Sequence, residues 1–469
     1  MPSIRVLLPS GTLDLDALRA ELEVPGEFPP DVLAEAAAAA ASPRLPELDR
    51  TDLPLVTIDP PGSRDLDQAL HLARTATGFR VSYAIADVGA FVRPGGVLDT
   101  EVHTRGVTLY APDGRVPLHP PVLGEDAASL LPDVVRPALL WELDLDAEGS
   151  LVGTDVRRAL VRSTARLDYA AVQAAVDDGS ADEVLQLLRE VGLLREKQAL
   201  DRGAVDLPTP SQEVELDGHG RPTLVWRAQL PAEGWNAQIS LLTGAAAAGL
   251  MLDAGIGLLR TLPPAPAQDV EALRRSALAL GVDWPSGASY GAVVSGLDPH
   301  EPTHAALLVL ATRLLRGAGY TAFDGGPPEK PLHSAVALPY AHCTAPLRRL
   351  ADRHVGELCV ALAAGGPAPE WVRVALPGLP DVMAGATRRA GALERAVVDG
   401  AEAVVLSARR GERFDAVVVE TGPERGVVQL HDPPVRARCE GADLPLGERV
   451  EVELVVADPA TREVLLRRV

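Results

Sequence analysis

One segment decides how the rest of the chain is interpreted: Thr57-Ile58-Asp59-Pro60-Pro61-Gly62-Ser63-Arg64-Asp65-Leu66-Asp67-Gln68. A short apolar strand over residues 55–58 runs into a Pro-Pro-Gly turn that cannot be helical. Asp59, Asp65 and Asp67 then fall within nine residues, and carboxylates packed this densely repel one another unless a cation lies between them. Mg²⁺ and Mn²⁺ prefer such oxygen ligands and keep positions open for water and phosphate. The loop therefore predicts a metal site, with a solvated turn as the alternative.

The composition bounds the class of protein. A chain of 469 residues is long enough for roughly two to four domains. Hydrophobic residues make up 47% and charged residues 23%, which is an ordinary globular balance, and with only 3% aromatics the core must be mostly aliphatic. The net charge of −21 argues against non-specific binding to nucleic acid unless arginines cluster locally.

Two further features bear on the cellular compartment. Cys343, Cys359 and Cys439 share no metal or redox spacing, and we expect reduced thiols in a cytoplasmic protein. The first residues lack the core of a signal peptide. The longest uncharged stretch, residues 234–252, contains polar residues and glycines, which predicts a buried helix and no membrane span.

Three regions follow one another along the chain. Residues 1–50 predict two short helices, which fit a packing appendage or a helix-turn-helix that binds nucleic acid. Residues 51–400 combine strands and helices, including a helix from Pro346 to Ala364. Residues 408–469 predict five short strands, typical of a small barrel of the OB type. The fold class is therefore α+β.

A second cluster of polar residues lies near residue 350: Tyr340-Ala341-His342-Cys343-Thr344-Ala345-Pro346-Leu347-Arg348-Arg349-Leu350-Ala351-Asp352-Arg353. With Pro346 opening a helix, Arg348 and Arg349 would fall in its first turn, where cations oppose the helix dipole. A bound phosphate would remove that conflict. Asp352 lies four residues after Arg348 and could orient it. The pattern predicts an anion site, with a surface ladder of ion pairs as the alternative.

A third segment contains Tyr110, which ends a short strand just before Pro112. An aromatic ring in this position could stack on a nucleic-acid base. Half-buried packing is the alternative.

Taken in order, these segments resemble the catalytic domain of the RNase II / RNase R (RNB) family of exoribonucleases. The matching residues are Thr57-Ile58-Asp59-Pro60, Arg64-Asp65-Leu66-Asp67, Ala84-Ile85-Ala86-Asp87-Val88, Val92-Arg93-Pro94-Gly95, Arg105-Gly106, Tyr110, Pro112, Ser129-Leu130, Pro132, Tyr340-Ala341-His342, Thr344, Pro346 and Arg348-Arg349. The resemblance covers about residues 50–400 and implies an RNB-type catalytic domain with a mixed sheet and surrounding helices. The tail resembles the OB-fold RNA-binding module of these proteins.

The resemblance implies processive 3′→5′ hydrolysis of single-stranded RNA to nucleoside 5′-monophosphates, by a monomer that uses Mg²⁺, with Mn²⁺ as a substitute. It assigns catalysis to Asp65, Asp67 and Arg348, metal binding to Asp59, Asp65, Asp67 and Gln68, and RNA binding to Tyr110, Arg348, Arg349 and Asn236.

The chain departs from the family pattern in four places. Gln68 stands where a fourth Asp is usual, and Asn236 aligns with an acidic region that contacts a terminal ribose. Residues 202–214 lack the second aromatic that clamps the terminal base. Residues 1–50 are too few for a cold-shock barrel, so we expect a shortened N-terminus. These departures motivate an alternative function, that of a catalytically impaired protein that binds RNA.

Overall fold

The computed structural model describes residues 13–205, 211–216, 222–227, 229–298, 301–430 and 432–469. The α-helices of these residues are α1 Leu15–Glu21, α2 Pro30–Ala41, α3 Val97–Arg105, α4 Tyr169–Asp178, α5 Glu183–Asp201, α6 Pro231–Ala254, α7 Ala267–Ala279, α8 Tyr290–Ser295, α9 Pro302–Ala311, α10 Leu350–Ala363, α11 Glu370–Ala375 and α12 Leu379–Leu406. Short helical turns of other types cover Val88–Ala90, Leu123–Ala127, Thr312–Leu315 and Ser407–Arg409.

The β-strands are β1 Leu55–Ile58, β2 Gln68–Arg74, β3 Gly78–Ala86, β4 Leu109–Ala111, β5 Gly114–Val116, β6 Val135–Asp146, β7 Leu151–Leu167, β8 Ser211–Leu216, β9 Pro222–Arg227, β10 Ile256–Thr261, β11 Gly319–Asp324, β12 Leu332–His333, β13 Leu338–Pro339, β14 Arg413–Glu420, β15 Arg425–Leu430, β16 Arg436–Glu440, β17 Arg449–Asp458 and β18 Glu463–Arg468.

A closed barrel in the order β1-β2-β3-β6-β7 forms the centre of the large domain. β1 pairs with β7 in parallel, and the other neighbouring strands pair antiparallel, so the predicted mixed sheet is confirmed. Val81 through Ala86 of β3 are all buried. Continuous burial of a strand requires cover on both faces, and helices supply it on the outer face.

Helices α5 and α10 lie against the strands β2 and β7 of this barrel, and α6 packs on α4, α5 and α10. Among the described residues, α6 is a helix long and apolar enough to cross a membrane, and 44% of its most apolar window is buried within the protein. Its contacts with three neighbouring helices agree with the predicted core helix.

A second closed barrel, β14-β15-β16-β18-β17, ends the chain. Its strands match the five predicted ones to within about two residues, and the OB-like barrel is confirmed. Its apolar core continues into Leu393 and Val397 of α12, Leu18 of α1 and Leu109 of β4. The strand that contains Tyr110 packs on α12 and shares this apolar core with the C-terminal barrel.

The helix predicted from Pro346 begins only at Leu350, so the prediction was wrong at this end. A helix from Pro346 would need the N–H of Leu350 to donate to the carbonyl of Pro346, but this N–H donates to the carbonyl of Gly106 at 3.0 Å. The N–H of Leu347 donates to Asp67. Long-range partners therefore hold the preceding segment in a turn.

Candidate active site

The loop between β1 and β2 is held in place by one buried hydroxyl. Ser129 Oγ accepts from the N–H of Leu66 at 2.9 Å and donates to the carbonyl of Arg64 at 2.6 Å. The N–H of Leu130 then donates to the carbonyl of Leu66 at 3.0 Å. These bonds fix the backbone between Asp65 and Asp67. Both carboxylates are therefore attached to a rigid segment.

Asp67 is the most buried of the three carboxylates, with 2% of its surface exposed. Its Oδ1 accepts from the N–H of Leu347 at 2.7 Å, and its Oδ2 lies 3.1 Å from Nε of Arg348. That ion pair is not aligned as a hydrogen bond, so both atoms lack a hydrogen-bond partner. Burial raises the pKa of Asp67 to about 7, although Arg348 and the Leu347 N–H oppose the shift.

Asp59 directly follows β1, and its N–H donates to the carbonyl of Leu167 at 3.1 Å. Its Oδ2 is buried and has no hydrogen-bond partner. Burial raises the pKa of Asp59 to about 6, with Arg348 opposing the shift and the Asp65 carboxylate adding to it. The guanidinium of Arg348 and the carboxylate of Asp65 therefore lie close enough to Asp59 to interact with it electrostatically.

Asp65 forms an ion pair with Arg115, a residue that the sequence analysis did not identify. Nη1 of Arg115 donates to Oδ1 of Asp65, and its Nη2 lies 2.9 Å from Oε1 of Glu125. Arg115 lies on β5, across from Tyr110 on β4. No local signal marks Arg115, because its partners lie 50 and 10 residues away along the chain.

Tyr110 is half exposed, at 50% of its surface, as a base-stacking residue requires. Burial raises the pKa of its hydroxyl to about 12, Arg348 lowers that pKa, and Asp65 and Asp67 raise it. The ring therefore lies beside the carboxylates, as the family resemblance implies.

The two adjacent arginines have different partners. Arg348 pairs with Asp67, so the expected pairing with Asp352 is wrong. Asp352 instead accepts three hydrogen bonds of 2.7–3.1 Å from Arg349 and one of 2.8 Å from the N–H of Ala345. The turn before α10 directs the side chains apart, so Arg348 faces the carboxylates while Arg349 braces the turn.

Gln68, expected as a metal ligand, has both ends of its amide in contact with the protein. Its Nε2 donates to the carbonyl of Thr344 at 2.5 Å, and its Oε1 accepts from the hydroxyl of Tyr83 at 3.0 Å. Tyr83 also bonds Ser240 of α6 at 2.9 Å. Gln68 thus ties the barrel to the loop that ends in Arg348, and its role as a ligand stays a prediction.

Asn236 is buried, and its Nδ2 donates to the hydroxyl of Tyr169 at 3.2 Å. Burial raises the pKa of Tyr169 to about 12, and Asp59 adds to that shift, so Tyr169 lies beside the site. The sequence analysis missed this tyrosine. In the segment expected to lack a second aromatic, residues 206–210 lie outside the described part of the chain.

The N-terminal helices hold the segment that contains Tyr110. Arg19 of α1 pairs with Asp113 at the tip of the β4–β5 hairpin. Oε2 of Glu35 accepts from the first N–H groups of α3, at 2.9 and 3.2 Å. Arg105 at the end of α3 donates to the carbonyl of Gly26 at 2.7 Å. The helix-turn-helix interpretation stays a prediction, and the contacts described here are made with the protein itself.

The residues present fit a hard divalent cation. In the described ranges, no three His, Cys, Asp or Glu side chains stand in a ready metal-binding arrangement. Two buried carboxylate oxygens, Oδ2 of Asp59 and Oδ2 of Asp67, nevertheless lack hydrogen-bond partners. A buried, unpartnered carboxylate oxygen is costly, and a cation would relieve that cost. The donor set is made of oxygens, as Mg²⁺ and Mn²⁺ prefer.

The model of the RNB domain family matches residues 48–363. The chain belongs to the RNB-domain family. All the predicted site residues of this RNB protein, from Asp59 to Arg349, lie within the matched region. The model of the RNase II-type exonuclease C-terminal S1 domain matches residues 412–469, the second barrel.

Curated relatives of this RNB protein include the exosome complex exonuclease RRP44 homolog A of Arabidopsis thaliana, 32% identical over 67% of this chain and 35% of the relative. Ribonuclease R of Escherichia coli is 29% identical over 70% of this chain and 42% of the relative. The chain thus spans well under half the length of these relatives.

Among solved structures, the apo form of Mycoplasma genitalium RNase R superposes with a TM-score of 0.85 at 20% identity. It covers 97% of this chain, and this chain covers 78% of it. At this identity the match supports the fold alone.

Proposed function

We propose that this RNB protein is a processive 3′→5′ exoribonuclease that hydrolyses single-stranded RNA to nucleoside 5′-monophosphates with Mg²⁺, which Mn²⁺ can replace. One observation carries the proposal: Asp67 lies 3.1 Å from Arg348, so a buried carboxylate and a half-exposed guanidinium meet at one point. A carboxylate that can bind a cation, beside an arginine that can bind phosphate, is the pair that phosphodiester hydrolysis requires.

Each side chain of the site has a part in this chemistry. Asp59, Asp65 and Asp67 would hold the divalent ion, with the amide oxygen of Gln68 as a further ligand. When bound, the ion supplies Lewis acidity at phosphate and lowers the pKa of a bound water. Arg348 neutralises charge on the non-bridging phosphate oxygens as the pentacovalent state forms.

The RNA end is positioned by groups around these carboxylates. The exposed ring of Tyr110 stacks on the 3′-terminal base, a contact worth about 1–3 kcal/mol that tolerates any base. The buried amide of Asn236 acts on RNA through Tyr169, which it holds by a 3.2 Å hydrogen bond. The guanidinium of Arg349 is committed to Asp352, so its contribution to RNA binding is to hold the turn that presents Arg348.

The test is incubation of the purified protein with single-stranded RNA labelled at its 5′ end. We expect nucleoside monophosphates and one short, labelled limit product, with no intermediate lengths if degradation is processive. Absence of cleavage with both Mg²⁺ and Mn²⁺ would overturn the proposal. Labelled fragments produced by internal cleavage would show that the protein is an endonuclease and not an exonuclease.

A second candidate is an RNA-binding protein with impaired catalysis, motivated by Gln68 and the acidic net charge of −21. It predicts that the same RNA is bound and recovered intact. We further propose that the protein acts as a monomer in the cytoplasm. The buried, unpaired state of Cys343, Cys359 and Cys439 supports a reducing compartment.

A further inference from the structure

Two of the three site carboxylates already have a cation of the protein beside them. Arg348 lies next to Asp67, and Arg115 donates directly to Asp65. In the described residues, Asp59 has no ion pair of this kind. A divalent ion that binds Asp65 must therefore compete with the guanidinium of Arg115 for the same carboxylate.

Arg115 lies on the same face of the β4–β5 hairpin as Tyr110 and has a second ion-pair partner, Glu125. Arg115 and Tyr110 are directly opposite each other in the antiparallel pair β4–β5, and opposite residues of such a pair point to one face. The other half of the guanidinium lies 2.9 Å from Oε1 of Glu125. Loss of the bond to Asp65 would therefore leave Arg115 held by Glu125 and still beside Tyr110.

We propose that Arg115 is an exchangeable cation of this site. It occupies Asp65 in the metal-free protein, moves off that carboxylate when a divalent ion binds, and then contacts the RNA phosphate next to the base stacked on Tyr110. The proposal rests on the proposed function and adds a substrate-binding residue that depends on the metal.

Two physical arguments support the exchange. A divalent ion and a guanidinium on one carboxylate would repel each other in a site where Asp65 and Arg115 are only 16% and 23% exposed. Once displaced, the planar guanidinium still has donors in a fork that matches two phosphate oxygens, which an ammonium group would not provide. The contact with phosphate would replace the ion pair that Arg115 loses when it moves off Asp65.

The first test measures the affinity of the metal-free protein for Mn²⁺, by electron paramagnetic resonance, without RNA. We expect Arg115→Ala to bind Mn²⁺ about fivefold more tightly than the unaltered protein, because the competing cation is gone. Arg64→Ala is the matched control. Arg64 is 65% exposed, lies 3.9 Å from the same Glu125, and its variant is expected to leave the Mn²⁺ affinity unchanged.

The second test measures binding of a fluorescent RNA oligonucleotide in Ca²⁺ and in EDTA, with its intactness checked on a gel. Arg115→Ala should weaken binding about tenfold in Ca²⁺, where Arg115 is free to meet phosphate, and leave binding in EDTA unchanged. Arg115→Lys, which retains the charge without the fork, should fall between the two proteins in Ca²⁺. It also keeps the test open if the alanine variant does not fold.

An Mn²⁺ affinity of Arg115→Ala equal to that of the unaltered protein would overturn the proposal. A loss of RNA binding that is equal in Ca²⁺ and in EDTA would also overturn it, because a purely structural residue would produce such an equal loss. Failure of the proposed function is distinguishable from either outcome. A protein that cleaves no RNA would still report both affinities, and these alone decide the role of Arg115.

Discussion

The backbone N–H of Leu347 donates a 2.7 Å hydrogen bond to Oδ1 of Asp67, from a position 280 residues further along the chain. This bond brings the turn that contains Arg348 against the loop that contains the carboxylates. His119 supports the same turn, because its Nδ1 lies 3.1 Å from the carbonyl of Leu347. The candidate site is therefore an interface between two segments, and both must be in place for it to exist.

The substitution Asp67→Asn should abolish hydrolysis and leave RNA binding nearly unchanged. An amide oxygen can still accept from Leu347, so the turn is kept, but the charge that holds a cation is lost. We expect turnover to fall at least about a hundredfold, measured by the rate at which RNA labelled at its 5′ end is converted to the short limit product. Fluorescence anisotropy with the same RNA provides the control, and a variant with most of its original rate would refute the metal assignment.

The contribution of Asp59 and Asp67 to the stability of the metal-free protein should fall as the pH rises from about 4 to about 7. The pKa of Asp67 is raised from 3.8 to about 7, and that of Asp59 to about 6. Over this range the two carboxyl groups keep protons in the folded protein that they release in the unfolded chain, so their contribution to the free energy of unfolding decreases with increasing pH. The side chains of His119, His333 and His354, whose pKa values are lowered by burial, contribute with the opposite sign. Thermal melts in EDTA at several pH values, with the unaltered protein and with Asp67→Asn, therefore isolate the part of the slope that belongs to Asp67.

Asp67→Asn is also a control for that slope. Without the carboxyl group, the melting temperature of the variant should rise relative to that of the unaltered protein as the pH increases from about 4 to about 7, and should be the higher of the two at pH 8. An unaltered slope would show that Asp67 titrates normally.

We expect Arg349 to be needed for stability and Arg348 to be needed for turnover. Arg349→Ala leaves the buried carboxylate of Asp352, 1% exposed, without its three hydrogen bonds, and should lower stability by about 3 kcal/mol. Arg348→Ala removes a side chain that is 42% exposed, and should reduce turnover with little change in melting temperature. The reverse pattern would contradict the assignment of the two residues.

Gln68→Glu tests whether this amide holds the Thr344 loop. The substitution replaces the Nε2 donor by an oxygen that would face the carbonyl of Thr344, which now lies 2.5 Å from Nε2. Loss of the bond and the new repulsion should cost about 1–3 kcal/mol of stability, measured in urea melts without metal. Gln268→Glu, on the exposed surface of α7, is the matched control. An equally stable Gln68→Glu protein would favour a ligand role.

Glu35→Ala should lower stability by about 1 kcal/mol, because Glu35 alone supplies side-chain acceptors for the first N–H groups of α3 among the described bonds. The same change should raise KM for RNA, since α3 leads into the hairpin of Tyr110. Glu47→Ala, at an exposed position of the same region, should change neither quantity. A lower melting temperature with unaltered KM would limit Glu35 to a structural role.

Much of the local structure could be predicted from periodicity and turn residues. The strands of the second barrel follow alternating apolar positions, and the Pro-Pro-Gly turn after Ile58 places the Asp loop outside a helix. β7 was not predicted, although its buried residues Ala159, Val161 and Ser163 alternate with more exposed ones, as is typical of a half-buried strand. The start of α10 was misplaced because its N-terminal side is governed by bonds to distant residues.

The sequence alone determined which chemical groups are available, namely three carboxylates on one loop, a pair of arginines and a tyrosine in the order of the RNB family. Only the tertiary structure decided how they pair. Arg348 faces Asp67 and Arg115 pairs with Asp65, both far away along the chain, whereas the pair of Arg349 with Asp352 is local, three residues apart. Spacing along the chain favours partners three or four residues apart on a helix. The partner of a side chain in a turn depends instead on the path of the whole backbone, which local patterns do not encode.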